Sequence, residues 1–411
     1  MSVPKLRFTE FNLPYKLTEL GDALIGYSLG GNYANSCDVT SNPLIKMGNL
    51  GRGYINTEKV EYIQNNERIT DDNKLEIGDL LFNTRNTLDL VGKVAIWRGE
   101  LERAYFNSNI MRMVFDNNYY MNYALNTKKS LAKLKAIASG TTSVAAIYTK
   151  DLKKLKIWIP SINEQTKIGD FLSSVDDKVT LLNKQYDLLC QYKKGMMQKI
   201  FNQEVRFRDE NGDIFPAWQE NTLSNLGNAY SGLTGKTAED FGKGTFYITY
   251  KQIFDNRIIQ PKDFGLVCIS KNEKQNKVKY GDLFFTTSSE TPDEVAFCSV
   301  FLETEMSDCY LNSFCFGYRL KNIDKNHPVF LSFLFRSEYF RAKVKTLAQG
   351  STRYNISKAQ FMMLSVNIPV TKEQTKIVNF LSALDDKIAI KKVELDRLKT
   401  WKQGLLQQMF V

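Results

Sequence analysis

The 411-residue sequence contains one histidine, His327, and six cysteines, none of them arranged as a Cys-x-x-Cys pair. A single histidine nearly excludes a His-based metal site or a Ser–His–Asp triad, because both chemistries depend on histidine. The scattered cysteines indicate reduced, mostly structural thiols of a cytoplasmic protein. Neither residue type predicts a metal site or a catalytic site.

Long apolar runs are also missing. No run approaches the ~18 residues that a membrane-spanning helix needs, and the opening segment MSVPKLRFTE is polar. We therefore expect neither a secretion signal nor a membrane span, no membrane partner, and a cytoplasmic location.

Positive charge, by contrast, is in excess. The 55 Lys and Arg residues outnumber 45 Asp and Glu residues, which gives a formal net charge of +10 and an isoelectric point near 9.0. A charge of this sign indicates a polyanionic partner, although it does not bear on the fold. The length allows two or three domains, each with its own core.

An internal repeat is the most informative feature of the sequence. Residues 159–201 return as residues 368–410 at an offset of 209, without a gap and with 19 identities over 43 positions. A period this long is not that of a solenoid unit, so it indicates a duplicated half-protein.

Each copy of the repeat predicts one long helix. Its apolar residues follow at alternating steps of four and three, which is the spacing of a coiled-coil seam that buries against a partner helix. The seam residues predicted to pair the helices and to support partner binding are Leu172, Val175, Val179, Leu182, Leu189, Leu381, Leu384, Ile388, Leu395 and Leu398. The alternative is two core helices of an ordinary globular domain, but such helices usually end near ~20 residues.

Both predicted helices carry start signals. Pro160 precedes Ser161 and Glu164 in the first copy, and Thr371 precedes Gln374 in the second. We interpret the Ser–Glu and Thr–Gln pairs as capping boxes, in which each side chain bonds a backbone N–H of the first turn.

The repeat divides the chain into globular domains and helices. We predict a first domain at 1–158, a long helix at 159–201, a second domain at 202–367 and a second long helix at 368–411. The first domain contains strand patterns near 43–47, 75–83 and 91–97, a helix pattern at 118–138 and a small-residue loop at 139–143. This mixture indicates an α+β fold.

The second domain repeats the order of the first with drifting offsets. Gly281-Asp282-Leu283 matches Gly78-Asp79-Leu80, and Gly350 matches Gly140. The first helix leaves the first domain and ends at the second, so its seam partner must return antiparallel. We therefore expect a pseudo-two-fold arrangement of two related but different domains.

Three motifs suggest chemistry but lack its context. Gly232 to Thr237 resembles a phosphate-binding loop, but Tyr230 stands where the motif needs glycine. Asn42-Pro43 lacks the second proline and the aromatic residue of an adenine methyltransferase tetrad. Asp176-Asp177, repeated as Asp385-Asp386, points in two directions on a helix, so we interpret these carboxylates as solvated helix faces. We expect no catalysis by this chain.

The paired domains and repeated helices resemble the specificity subunit of type I restriction–modification enzymes. The resemblance covers essentially the whole chain, and its sharpest residues are Pro160 with Glu164-Gln165, Pro369 with Glu373-Gln374, and the run GTTSVAAIYTKDL from Gly140. It implies two target-recognition domains, each reading half of a bipartite DNA site, on a spacer of two antiparallel helices.

The resemblance also implies partners and cofactors. Two modification subunits would hold S-adenosylmethionine and methylate adenine, and restriction subunits would carry the nuclease and an ATP-driven motor with its Mg²⁺. No cofactor and no metal is expected on this chain. The alternatives are a stand-alone DNA-binding protein or a coiled-coil scaffold without methyltransferase partners.

Candidate DNA contacts are polar side chains able to read base edges or bind phosphate. They are Lys46, Asn49, Arg52, Arg85 and Asn86 in the first domain, and Tyr250, Lys251, Gln252, Thr286, Thr287, Ser288, Arg353 and Tyr354 in the second. Arg85 has an alternative partner in Asp89, and Arg257 is expected to contact only phosphate or solvent.

Overall fold

The computed structural model describes residues 3–305 and 308–411. Contacts between residues divide the chain into two units, the first holding the chain up to Lys184 with Lys392–Val411 and the second holding Gln185–Lys391. This division cuts both long helices, so each unit contains the start of one and the end of the other. The predicted domain boundaries separate helices from domains instead, and they stay predictions.

The first half of the chain alternates short strands and helices before one long helix. Its helices are α1 (Leu20–Ala23), α2 (Asn118–Leu125), α3 (Lys128–Ala136), α4 (Thr149–Lys153) and α5 (Ile162–Phe201). Its strands are β1 (Lys16–Glu19), β2 (Gly26–Leu29), β3 (Asn35–Ser36), β4 (Pro43–Ile45), β5 (Glu61–Ile63), β6 (Leu80–Asn83), β7 (Arg85–Asn86), β8 (Val94–Ile96), β9 (Tyr105–Phe106), β10 (Ile110–Val114), β11 (Ser139–Gly140), β12 (Ala145–Ala146) and β13 (Lys156–Ile159).

The second half follows a similar order, with an additional helix at Tyr250–Asp255 after the strand equivalent to β4. Its helices are α6 (Leu223–Leu226), α7 (Tyr250–Asp255), α8 (Pro328–Arg336), α9 (Glu338–Lys345), α10 (Lys358–Met362) and α11 (Thr371–Gln408). Its strands are β14 (Gln219–Thr222), β15 (Gly227–Ser231), β16 (Phe241–Ile248), β17 (Gly265–Val267), β18 (Leu283–Thr286), β19 (Ser288–Ser289), β20 (Cys298–Val300), β21 (Cys309–Leu311), β22 (Cys315–Leu320), β23 (Tyr354–Asn355) and β24 (Ser365–Ile368). The connections include 3-10 turns at Asp71–Asn73, Ala238–Asp240 and Pro261–Asp263.

Sheet topology repeats between the halves. The central antiparallel sheet has the order β2-β10-β6-β8 in the first unit and β15-β22-β18-β20 in the second. A parallel pair accompanies each sheet, β4 with β9 and β16 with β21. An antiparallel pair, β1 with β13 or β14 with β24, brings the start of each domain beside the strand that leads into its long helix. The α+β fold is confirmed, and each half has the same plan.

The core of each unit includes residues of both long helices. In the first unit, Leu172 of α5 and Leu405 of α11 belong to the apolar cluster that contains the buried faces of β6 and α2. In the second unit, Phe201 of α5 and Leu381 of α11 join the cluster around Phe285. The long helices are therefore built into the domain cores at their ends.

The predicted seam residues face inward. Leu172, Val175, Leu182, Leu381, Leu384 and Leu395 are buried, and Val179, Leu189, Ile388 and Leu398 are half-buried. A repeat of 3.5 residues keeps such a stripe on one side of a helix. α5 begins in the first unit and ends in the second, whereas α11 begins in the second unit and ends in the first.

The capping-box interpretation of the helix starts is wrong, although both helices begin within three residues of the predicted points. Glu164 is 1% exposed, and both of its carboxylate oxygens accept from the Arg7 guanidinium at 2.8 and 2.7 Å. Glu373 is bound in the same way by Arg206, at 2.8 Å for each oxygen. A bidentate guanidinium competes better for a buried carboxylate than one backbone N–H.

The amide that follows each of these carboxylates also serves the domain. Gln165 donates to the Pro160 carbonyl at 3.1 Å, and Gln374 donates to the Pro369 carbonyl at 2.9 Å. The Gln374 oxygen, predicted to cap the second helix with Thr371, instead accepts from the His327 backbone N–H at 2.7 Å. The Glu-Gln pair therefore ties each long helix to the segments around it.

The helix predicted at 118–138 is in fact two helices. Asn126 turns its amide back to the Asn122 carbonyl and to the Val94 carbonyl, at 2.8 and 3.0 Å. Thr127 then caps α3 by accepting from the Ser130 N–H at 3.2 Å. Short polar side chains offer the backbone these alternatives to a continuous helix.

The seam predicts a difference between two adjacent leucines of α5. Leu182 is 5% exposed and Leu181 is 57% exposed. Leu182→Asp should lower the free energy of unfolding by about 3 kcal/mol, because it buries an unpaired carboxylate. Leu181→Asp, the matched control, should change it by less than ~0.5 kcal/mol. Denaturant titration of both variants decides the matter, and equal losses would show that the seam is not buried as described.

Candidate nucleic-acid interface

In the first unit, two predicted motifs that are distant in sequence meet at one edge. β7, which contains Arg85 and Asn86, pairs with β12, and β12 pairs with β11 in a hairpin of residues 139–146. The Ile147 N–H donates to the Thr84 carbonyl at 2.9 Å, which fixes the hairpin beside the strand. We call residues 84–86 with this hairpin the first strand–hairpin surface.

The second unit has the equivalent arrangement with different side chains. β19 pairs with β23, and the Ile356 N–H donates to the Thr287 carbonyl at 3.0 Å. We call residues 287–289 with residues 349–355 the second strand–hairpin surface. It brings together the predicted residues Thr287, Ser288, Arg353 and Tyr354.

Tyr250 also reaches the second strand–hairpin surface. Its hydroxyl donates to the Ser288 carbonyl at 2.7 Å, so the start of α7 is held against β19. The guanidinium of Arg353 lies 5.8 Å from the ring centroid of Phe314, which is 57% exposed. The sequence alone did not identify Phe314 as part of this surface, because no neighbouring residue in the chain indicates it.

Asn49 and Gln252 occupy equivalent places and both turn inward. They follow the parallel strands β4 and β16 and are 7% and 3% exposed. The Asn49 amide donates to the Asn56 and Lys59 carbonyls at 3.0 and 2.8 Å, and the Gln252 amide donates to the Gln260 carbonyl at 3.0 Å. A base-reading amide must be free to bond a base edge, whereas both of these amides bond loop carbonyls in this structure. A DNA contact by either one stays a prediction.

Two hydroxyl-bearing candidates are buried as well. Thr286 is fully buried, and its hydroxyl accepts from the Phe297 N–H at 3.0 Å. Ser288 is 4% exposed. Direct base contact by either side chain would need the surface to open.

Lys46 and Lys251 are engaged in ion pairs. The Lys46 ammonium lies 2.9 Å from Glu61 and also bonds Asn35 at 3.1 Å. Lys251 is exposed and pairs with Asp255 within α7. Ion pairs at the surface contribute little stability, so a phosphate can replace the carboxylate at small cost.

Two cations of the first unit, Arg52 and Lys93, influence each other electrostatically. Burial lowers the pKa of Arg52, and burial together with the Arg52 charge lowers the pKa of Lys93. Arg52 donates to the Asp89 backbone carbonyl at 2.9 Å, whereas the Asp89 carboxylate lies 2.6 Å from the Lys135 ammonium. Two partly desolvated cations favour an incoming anion. Sequence reasoning missed Lys93 because it lies 41 residues from Arg52.

Arg85 and Arg257 each have an alternative to a base contact, and the structure shows where both side chains lie. Asp89 pairs with Lys135, and the Arg85 side chain is exposed without a hydrogen-bond partner in the described part of the chain. The expectation that Arg257 contacts only phosphate or solvent is wrong. Its side chain is 13% exposed and binds Asp385 at 3.0 Å, because it lies against α8 rather than on the outer surface.

The interpretation of the repeated aspartates as solvated helix faces is wrong for the first of each pair. The side chain of Asp176 is 14% exposed and accepts from the Tyr123 hydroxyl at 2.7 Å. Asp385, its equivalent, binds Lys193 and Arg257. Adjacent helix positions do point in different directions, and only Asp177 and Asp386 are exposed.

The segment that resembles a phosphate-binding loop has its lysine occupied. Lys236 is 6% exposed and lies 2.6 Å from Glu273. The hydrogen bond from Lys236 lowers the pKa of Glu273 to about 2.

Among residues 3–305 and 308–411, no group of three or more His, Cys, Asp and Glu side chains could hold a metal ion. Within the same residues, no helix is both long and apolar enough to span a membrane.

Two equivalent surfaces with different side chains define a class of protein with paired recognition domains on shared long helices. The sequence matches the family described as "Type I restriction modification DNA specificity domain" over residues 14–191 and 210–400. The chain belongs to this family.

Relatives and solved structures agree with this membership. The chain is 26% identical over 424 aligned residues to the putative type I restriction enzyme MjaX specificity subunit of Methanocaldococcus jannaschii, covering 98% of this chain and 94% of that protein. The MjaVIII specificity subunit of the same organism is 24% identical, with 86% and 84% coverage. The type I restriction–modification S subunit from M. genitalium shares the fold, with a TM-score of 0.58, 15% identity and coverage of 100% and 99%.

Proposed function

We propose that this chain recognises the DNA sequence for a type I restriction–modification complex, with each half reading one part of an asymmetric, bipartite target. The observation that carries the proposal is the pair of strand–hairpin surfaces. They occupy equivalent places in the two halves, yet the first presents Arg85 and Asn86 on its strand, and the second presents Arg353 and Tyr354 on the segment that pairs with its strand. Two surfaces of one design with different side chains are suited to two different half-sites.

The candidate contacts divide by chemistry. Exposed Arg85 and Arg353 are suited to base edges, because a guanidinium can bond guanine with two hydrogen bonds. Arg52 and Lys93 are suited to a phosphate, because they are neighbouring cations and one anionic group can bond both of them. Phosphate contacts position a protein on DNA while base contacts specify the sequence.

In this proposal the two long helices set the distance between the two recognition surfaces, and so the gap between the two half-sites. α5 has 40 residues and α11 has 38, and both have ends embedded in a domain core. At ~1.5 Å per residue, 40 residues extend about 60 Å. A spacer of defined length gives the two half-sites a defined gap.

Partner subunits complete the proposed complex. Two modification subunits would supply S-adenosylmethionine and adenine methylation, and restriction subunits would supply the nuclease, ATP and Mg²⁺, so this chain itself is proposed to be non-catalytic. The buried seam leaves other positions for docking. The docking positions we propose on the long helices are Leu181, Leu188, Tyr192, Ile390 and Val393, which are between 49% and 65% exposed.

The alternatives were a stand-alone DNA-binding protein and a coiled-coil scaffold. Membership of the specificity family over both halves of the chain favours the restriction–modification function over both. A scaffold would also leave the net charge of +10 without a purpose.

The two kinds of contact predict different effects on DNA binding. Arg353→Ala should weaken binding to the target by ~5- to 150-fold, about 1–3 kcal/mol, and leave binding to other DNA nearly unchanged. Lys93→Ala should weaken binding to all duplexes and reduce the slope of log affinity against log salt by about one. Binding isotherms of the full chain at several salt concentrations measure both effects.

The exposed Arg208, which belongs to the segment after α5, offers a charge-matched control. Unlike Arg353→Ala, Arg208→Ala should change neither the affinity for the target nor the selectivity for the target over other DNA. Equal losses for target and non-target DNA in Arg353→Ala would contradict a base contact.

Exchange of the first unit tests whether the halves read independently. The exchange should replace residues up to 184 together with 392–411, because Leu405 and Met409 of α11 belong to the core of this unit. With the matching residues of a relative, one half of the methylated motif should change and the other should remain. Mapping of methylated adenines in a host that carries the exchange measures this, and a change in both halves would contradict two independent readers.

A further inference from the structure

Each unit contains a cluster of four side chains where a domain meets the two long helices. In the first unit, Asp176 of α5 pairs with Lys402 of α11 and, at 3.3 Å, with Arg98 of the domain. Tyr123 of α2 completes the cluster, with its ring 5.7 Å from the Lys402 ammonium. We call this the first junction cluster.

The second junction cluster is built on the equivalent helix positions. Asp385 of α11 pairs with Lys193 of α5 and, at 3.0 Å, with Arg257 of the domain. Phe333 of α8 lies beneath both cations, 5.5 Å from the Lys193 ammonium and 3.7 Å from the Arg257 guanidinium. Asp176 and Asp385 each form one ion pair with the other long helix and one with an arginine of the domain.

The two lysine–aspartate pairs fit one helix register. Asp176 precedes Lys193 by 17 residues, and Asp385 precedes Lys402 by the same 17 residues. Each unit therefore joins its two helix segments through the same pairing.

The arginines, by contrast, come from different places. Arg98 follows β8 of the central sheet, whereas Arg257 follows α7 by two residues. Equivalent carboxylates thus attach to different parts of their domains. The attachment in the first unit is to the sheet, and the attachment in the second is to the connection beside α7.

The connection through Arg257 leads to the second strand–hairpin surface. α7 begins at Tyr250, whose hydroxyl donates to the Ser288 carbonyl. The Val300 N–H donates to the Arg257 carbonyl at 2.9 Å, so the backbone at Arg257 is also held to β20. A continuous set of contacts therefore runs from Asp385 through Arg257 and α7 to β19.

We propose that Asp385 and Arg257 are positioning residues that fix the second recognition surface against the long helices, and so help to fix the gap between the half-sites. This inference rests on the proposed function, because the gap has meaning only for a bipartite DNA target. Neither residue touches a base in this proposal. They act through the placement of α7 and β19.

The physical basis is that the Asp385 contact has little redundancy. The Arg257 side chain is 13% exposed and has one carboxylate partner, with a further hydrogen bond to the Ser332 hydroxyl at 3.1 Å. In the first junction cluster, by contrast, Arg98 also pairs with Asp177 at 3.3 Å and donates to the Tyr123 hydroxyl at 3.1 Å, so Arg98 keeps two partners when the Asp176 carboxylate is lost. Loss of the second carboxylate should therefore loosen its domain more than loss of the first.

The test is Asp385→Asn in the full chain, expressed with its modification subunits, with the methylated motif mapped across the host genome. The variant should keep both half-site sequences but methylate sites whose gap differs by about one base pair, ~3.4 Å, in addition to the wild-type gap. Asp176→Asn should show fewer sites with an altered gap. Asp385→Glu, which keeps the carboxylate, should restore most of the wild-type gap preference.

Asp386→Asn is the matched control, because this neighbouring carboxylate is exposed and the change in charge is the same. A second variant, Arg257→Lys, keeps the charge but loses the planar contact with Phe333, and it should broaden the gap as Asp385→Asn does. A single unchanged gap in both variants overturns the inference. So does a loss of methylation in both variants while Asp386→Asn is normal, since that result shows only a structural role.

The methylated motif of the wild-type chain distinguishes a failure of the positioning role from a failure of the proposed function. A wild-type motif that is not bipartite contradicts the proposed function itself. A bipartite wild-type motif with unaltered gaps in the variants contradicts only the positioning role of Asp385 and Arg257.

Discussion

Each long helix begins in one unit and ends in the other, and the rest of the structure depends on this constraint. Ile168 and Leu172 at the start of α5 belong to the core of the first unit, and Ile200 and Phe201 at its end belong to the core of the second. α11 does the same in reverse. A domain in this chain therefore lacks a complete core without segments of both helices, which explains why an α+β domain and a helix pair occur together in each half.

Buried and half-buried ion pairs join the long helices to the domains at equivalent places in the two units. The Arg7–Glu164 and Arg206–Glu373 pairs hold the first turn of each long helix, with Tyr15 and Trp218 donating to the same carboxylates at 3.1 Å. Farther along, Asp176 and Asp385 join helix, helix and domain. Buried ion pairs often contribute little net stability, yet removal of one partner is costly. These ion pairs tie each long helix to its domains in the same way in both units. The strand–hairpin surfaces, by contrast, differ in their side chains between the units.

Much of this organisation could be predicted from the sequence, because the repeat and the 3.5-residue seam are local patterns. The pairing of Glu164 with Arg7 could not, since the residues are 157 positions apart and Glu164 also fits a capping box. The break at Asn126 depends on the Val94 carbonyl of a distant strand. Polarity identified Arg85 and Arg353, but it could not distinguish them from Asn49 and Gln252, whose amides are used by the backbone. The Arg52–Lys93 neighbourhood required three-dimensional placement.

In the proposed function, one chain supplies two sequence-reading domains held at a defined spacing. The most direct measurement compares methylated adenines across the genome of a host that expresses this chain with those of a host from which only this chain is deleted. We expect that a single class of sites loses methylation, and that its motif has two different specified parts separated by an unspecified gap of constant length. An unchanged methylation pattern, or a lost motif that is continuous or palindromic, would contradict the account.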